Sequence, residues 1–121
     1  MLLRAGNICA EVAPTDGGRI AQIFYNNQEL LIGRAHKEPV NTPLTWGCYP
    51  MVPFAGRLRD GKLHFNDETH QLRLNRQPHS IHGTVFDQTW DIKLQTSSSI
   101  TLETDFGIHW PFQGSVIHHI E

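Results

Sequence analysis

The sequence predicts an all-β fold, an antiparallel β-sandwich or part of one. Three observations carry this. Apolar and polar residues alternate with a period of two through much of the chain. No stretch holds a convincing 3.6-residue period. Turn residues rich in Gly, Asn, Asp, Ser and Pro break the alternation at short intervals.

The elements follow in order. Ile8, Ala10 and Val12 alternate with Cys9 and Glu11, giving a first strand. Pro14-Thr15-Asp16-Gly17-Gly18 is a turn whose two glycines are free to take positive φ. Arg19 to Tyr25 forms a second strand, Asn26-Asn27 closes a turn, and Glu29 to Ile32 forms a third strand. Residues 33–61 contain Pro39, Pro43, Pro50 and Pro53 and read as a long ordered excursion, a place where function concentrates. Leu63 and Phe65 share a face, Asn66-Asp67 turns the chain, and Leu72 and Leu74 return. The clearest hairpin pairs 89–95 with 100–106. Trp90, Ile92 and Leu94 are expected on one buried face, with Ile100, Leu102 and Phe106 opposite them across Thr96-Ser97-Ser98-Ser99.

Composition bounds the function. At 121 residues the chain is one domain or part of one, and 39% hydrophobic residues suffice for a core. A net charge of −2 with mixed signs gives no electrostatic attraction to nucleic acid or to an anionic membrane. No apolar run approaches the ~18 residues that span a bilayer. The apolar part of Met1–Asn7 is too short for a secretory signal. Cys9 and Cys48 stand alone and far apart, which suits free thiols in a reducing compartment, so the expected location is the cytoplasm.

Two segments carry chemistry. In Tyr49-Pro50-Met51-Val52-Pro53-Phe54-Ala55-Gly56-Arg57, the prolines exclude a regular core strand and Gly56 frees the backbone before a permanent cation. Such a loop suits recognition of an uncharged, oxygen-rich ligand; the plainer reading of Arg57 is a surface pair with Asp60. Pro78-His79-Ser80-Ile81-His82-Gly83 sets His82 beside a permissive glycine. Other signals fail. His118 and His119 are adjacent, so on a strand they point to opposite faces and chelate poorly, and no zinc spacing is present. Gly56 to Lys62 resembles part of a phosphate loop, but Leu63 stands where a metal-binding hydroxyl is needed. No nucleophile sits beside a plausible base. No metal and no cofactor are expected.

The two segments, with Leu72-Arg73-Leu74-Asn75 and Trp110-Pro111-Phe112, resemble the aldose 1-epimerase (galactose mutarotase) family in order and spacing. The resemblance implies that residues 1–121 are the N-terminal part of a galactose-mutarotase-like β-supersandwich. It implies a hexose such as galactose or glucose as the partner, with Arg57 and Asn75 binding it. It maps the family's first active-site histidine onto His82, which assists at the ring oxygen. His79 lies where the family tolerates other residues and reads as structural or solvent-facing. The family's second histidine, aspartate and catalytic glutamate come later than Glu121. The chain is therefore expected to lack the base and to associate with itself or with the missing C-terminal portion. Two alternatives stand beside this. One is a non-catalytic carbohydrate-binding β-sandwich fragment. The other is a sugar-phosphate mutarotase relative, with Arg59 and Arg73 as candidate extra cations.

Overall fold

The computed structural model describes residues 1–34 and 42–121; His36 and Pro39 lie outside the described residues. Its strands are β1 (Leu2–Ala5), β2 (Ile8–Ala13), β3 (Arg19–Tyr25), β4 (Gln28–Glu29), β5 (Arg57–Leu58), β6 (Lys62–Phe65), β7 (Glu68–Gln71), β8 (Ser80–Ile81), β9 (Asp91–Gln95), β10 (Ile100–Asp105) and β11 (Ser115–Ile120). Every ladder between them is antiparallel. One sheet runs β1-β2-β3-β4 and a second runs β11-β10-β9; β5-β8 and β6-β7 form two small ladders. This is the expected all-β architecture.

The two larger sheets close on a common core. Leu3 and Val12 come from the first sheet and Ile100 and Leu102 from β10. Val85 and Trp90 fill the space between them. Trp90 is anchored as well as packed, since its indole N–H donates to the Val85 carbonyl at 3.0 Å. Gly17 shows why the first turn needs glycine. Its φ is +82°, and a Cβ there would lie 1.8 Å from the Phe86 carbonyl oxygen.

Three expectations need correction. The third strand is shorter than Glu29–Ile32, because pairing with β3 stops at Glu29. The reason is Gln22, buried at 4% exposure. Its side-chain amide donates to the Leu31 carbonyl and accepts the Leu31 N–H, at 2.9 and 2.8 Å. A side chain thus replaces the ladder, and Leu30 and Ile32 stay exposed.

The hairpin 89–95 with 100–106 forms as β9 and β10, but its apolar face is only half buried. Trp90, Ile100 and Leu102 are buried, whereas Ile92 and Leu94 are 47% and 60% exposed. β9 is an edge strand, and a register shift between Thr101 and Leu102 interrupts its pairing. Leu72 and Leu74 follow β7 instead of lying in it: Leu72 is buried just past the strand end and donates its N–H to the Gly61 carbonyl.

The Pro-rich excursion is held down by a buried cation. Arg19, fully buried at the start of β3, donates to four backbone carbonyls. Nε reaches Asp16 at 2.6 Å, one terminal nitrogen reaches Pro43 and Trp46 at 2.8 and 2.7 Å, and the other reaches Phe86 at 2.9 Å. The guanidinium also lies 4.1 Å from the Trp46 ring centroid and 5.2 Å from that of Tyr49. Burial pushes its pKa below the ordinary value, with Asp16 and Tyr49 opposing the shift.

Arg19→Met should therefore strip donors from four carbonyls at once and destabilise the chain by at least about 3 kcal/mol. Arg34→Ala, which removes a pair whose arginine side chain is 60% exposed, should cost less than about 1 kcal/mol. Urea unfolding of both variants checks this; comparable small losses would mean that the buried cage contributes little.

Candidate functional site

The arginine loop and the histidine loop are joined along their length. The Thr84 N–H donates to the Val52 carbonyl at 2.9 Å, within a parallel bridge between Val52 and Gly83. The His82 N–H donates to the Gly56 carbonyl at 3.0 Å. Arg57 pairs with Ile81 and Leu58 with Ser80 in the β5-β8 ladder. Residues far apart in sequence thus occupy adjacent rungs, and Arg57 and His82 rise from neighbouring backbone.

Gly83 permits this closeness. Its φ is +81°, and a Cβ would stand 1.9 Å from the Val52 carbonyl oxygen, so only hydrogen fits. His82 is held in the left-handed region as well, at φ +60°. Histidine tolerates that region better than most residues, at a cost on the order of 1 kcal/mol.

The backbone also sets the chemistry of the His82 ring. The Gly56 N–H donates to His82 Nδ1 at 3.1 Å. Nδ1 is therefore an acceptor, and the neutral ring carries its proton on Nε2. That leaves Nε2–H as the donor the His82 ring can offer a ligand. Beside it, Tyr49 lies with ring centroids 6.2 Å apart and planes tilted by 58°. Tyr49 packs in turn against Phe86 at 5.8 Å. Burial raises the Tyr49 pKa, while Arg19 acts against the shift. The phenol stays neutral near pH 7.

Arg57 is exposed, and among the described residues its side chain meets no carboxylate; the pair with Asp60 is not formed. Its fork of donors is open to an incoming ligand. Asn75 sits under the loop. Its Nδ2 donates to the Ile81 carbonyl at 2.9 Å, and its Oδ1 accepts the Ile81 N–H at 2.7 Å. That two-point grip fixes the residue before His82 and leaves Asn75 one further amide N–H. Of the two expectations for His79, structural or solvent-facing, the hydrogen bonding fits the structural one: its Nδ1 accepts the Asp60 N–H at 3.2 Å.

Other candidates have prior commitments. Arg73 pairs with Asp87 at 2.7 Å. Glu103 pairs with Lys93 across β9 and β10 at 3.0 Å, which lowers the pKa of the carboxyl and raises that of the amine. Asp105 accepts the Gly107 N–H at 2.7 Å. His118 and His119 point apart as their adjacency requires. His118 Nδ1 lies 3.0 Å from the Gly18 carbonyl oxygen and His119 Nδ1 lies 2.8 Å from the Thr101 hydroxyl. Among the described residues no group of three or more His, Cys, Asp or Glu could hold a metal ion.

The role of Tyr49 escaped the sequence reading. The one available signal was an aromatic residue directly before Pro50. Trp110-Pro111-Phe112 acquires a position too: Trp110 stacks on Phe54 of the arginine loop, with centroids 6.0 Å apart, and Phe112 packs edge-on against Phe65 at 5.2 Å.

The chain is similar to several known proteins. The uncharacterized protein YihR of Escherichia coli K12 is 28% identical over 102 residues, 83% of this chain and 32% of YihR. A candidate aldose 1-epimerase structure from Escherichia coli K12 superposes with a TM-score of 0.82 at 20% identity, over 98% of this chain and 40% of that one. A galactose mutarotase-like protein from Lactobacillus casei gives 0.74 at 14% identity, over 98% and 38%. A galactose 1-epimerase from Lactobacillus acidophilus gives 0.62 at 20%, over 86% and 33%. The chain thus spans well under half the length of these relatives. The aldose 1-epimerase family model matches residues 1–120, nearly the whole chain. The chain belongs to the aldose 1-epimerase family.

Proposed function

We propose that this chain forms the donor side of an aldose 1-epimerase site that interconverts the α and β anomers of a free hexose such as galactose or glucose. The observation that carries this reading is the rung-by-rung pairing of Gly56–Leu58 with Ser80–His82. It brings the backbones of Arg57 and His82 to neighbouring rungs, in a chain of this family.

In mutarotation a base takes the proton of the anomeric hydroxyl. The C1–O5 bond breaks as the ring oxygen gains a proton, the C1–C2 bond rotates, and closure delivers the other anomer. His82, donating Nε2–H to the ring oxygen, stabilises the charge that develops there without surrendering its own proton. Arg57 holds sugar hydroxyls, because neutral oxygens accept from its fork. Asn75 keeps the His82 loop in place through Ile81 and offers its remaining N–H to the sugar. The base and a full proton donor come from a second polypeptide segment. That segment also covers the groove between the sheets, which Phe24, Trp46, Trp90 and Ile92 line and at whose rim Ile92 is exposed. Self-association is the other way to cover that apolar surface. The free thiols Cys9 and Cys48 support a cytoplasmic setting. No helix among the described residues is long and apolar enough to cross a membrane.

Three outcomes are expected. Long-range ¹H–¹⁵N correlation of the His82 ring should report the Nε2–H tautomer near neutral pH; a ring protonated only at Nδ1 would remove the proposed donor. In the protein assembled with its complementary segment, His82→Asn should keep the fold, because asparagine tolerates positive φ. It should cut kcat by roughly 10²-fold while weakening sugar binding far less. An equal loss in kcat and affinity would reduce His82 to a binding residue.

The 121-residue chain alone should give little acceleration of mutarotation, since general base catalysis typically contributes ~10²–10⁴-fold and no base is placed at the site. Polarimetry on fresh α-D-glucose and α-D-galactose reads this out. Robust acceleration by the isolated chain, abolished by His82→Asn, would mean that it supplies its own base. Sugar binding that persists after the complementary segment is added, still without turnover, would favour the non-catalytic carbohydrate-binding reading.

A further inference from the structure

Two imidazoles of the histidine loop act on the arginine loop in the same way. His82 Nδ1 accepts the Gly56 N–H at 3.1 Å and His79 Nδ1 accepts the Asp60 N–H at 3.2 Å. Between these points lie Arg57 and Leu58, paired with Ile81 and Ser80. A two-residue ladder is too short to fix its own register, and a slip of one residue would send Arg57 to the opposite face. The end contacts must therefore supply what the ladder lacks.

Asp60 is the end most in need of a clamp. It is a non-glycine residue at φ +55°. Its carbonyl is held by Gln71 Nε2 at 2.9 Å and its N–H by His79. The backbone of His79 is itself fixed, because Arg76 and His79 exchange N–H to carbonyl bonds at 3.0 and 2.9 Å. We infer that His79 is a positioning residue for Arg57, acting through the Asp60 N–H, and that its acceptor nitrogen, not its charge, is what the site uses. The functional weight of this inference rests on Arg57 as the sugar-binding cation proposed above; its structural content does not.

The test separates the two. ¹H–¹⁵N spectra of the 121-residue chain follow the Arg57 amide and side-chain Nε–H and the exchange rate of the Asp60 amide. His79→Ala removes the acceptor. His79→Asn places Oδ1 where Nδ1 stood. In His79→Ala the Arg57 signals should shift or broaden and Asp60 exchange should rise by about tenfold, while the Trp90 and Ile100 amides stay as in the parent chain. His79→Asn should restore both readouts. If His79→Ala does not fold, His79→Gln gives the same comparison, since its oxygen stands near the place of Nε2. Arg57 signals that stay unchanged when the acceptor is removed would overturn the inference.

D-galactose titration gives the second arm. Loss of the acceptor should weaken apparent affinity severalfold with the binding-competent fraction unchanged; a smaller competent fraction at unchanged affinity would mark a merely structural effect and count against positioning. A parent chain whose galactose response is unaltered by Arg57→Ala would overturn the sugar-binding reading of Arg57, and the spectra would still decide the role of His79.

Discussion

The buried guanidinium of Arg19 is the constraint on which the rest of this structure hangs. A cation at the start of a core strand is costly to desolvate, and among the described residues no carboxylate forms an ion pair with it, although Asp16 and Asp87 act at longer range to favour its charge. Four backbone carbonyls surround it instead, from the Asp16 turn, from Pro43 and Trp46 in the Pro-rich excursion, and from Phe86 beyond the histidine loop. Segments that share no ladder are therefore tied to one side chain. The same plane of charge seats Trp46 and Tyr49, and Tyr49 reaches His82. A chain of contacts runs from the first sheet to the site without leaving buried or half-buried residues. A lysine could not replace this arginine, since a point charge cannot address four carbonyls in one plane.

Much of the fold was legible because strand physics is local. Period-two alternation located β2, β3, β9 and β10, and the glycine and asparagine turns stand where positive φ is observed, at Gly17, Gly18, Asn26, Asn27, Asn66 and Asp67. What was not legible depends on partners that no local pattern encodes. Glu29 to Ile32 alternates like a strand, but the Gln22 amide captures Leu31 and ends the ladder. Ile92 and Leu94 alternate like core residues, but they lie on an edge strand whose face is open. Arg19 itself reads as an ordinary polar residue at a strand entrance, because its cage is assembled from positions up to Phe86.

The candidate site divides in the same way. The residue types and their loops were visible: a Pro- and Gly-framed arginine, and a histidine before glycine. The adjacency of the two loops is carried by no local signal, since β5 and β8 are two residues each and leave no periodic trace. The tautomer of His82 was out of reach altogether. It is decided by one backbone N–H from Gly56, and only a left-handed His82 brings Nδ1 to that donor. His79 belongs to the same class. Its loop was clear, but its function as an acceptor for Asp60 depends on a turn on the other side of the ladder.

The polarity of the assembled groups gives the site its direction. Arg57 offers donors only, His82 offers Nε2–H because Nδ1 is occupied, and Asn75 has one amide N–H left after gripping Ile81. Several carboxylates are engaged elsewhere: Asp16 with Arg34, Asp87 with Arg73, Glu103 with Lys93, and Asp105 with the Gly107 N–H. A sugar meeting this surface would find its oxygens satisfied as acceptors and its hydroxyl protons unclaimed. Anomer exchange needs one of those protons removed, so the accepting group must approach from the face of the sugar that these loops leave open. A donor surface flanked by Tyr49, on which Arg57 meets no carboxylate among the described residues, suits that division. In the proposed reaction it stabilises charge on the ring oxygen and leaves the choice of when the reaction starts to the group that takes the proton.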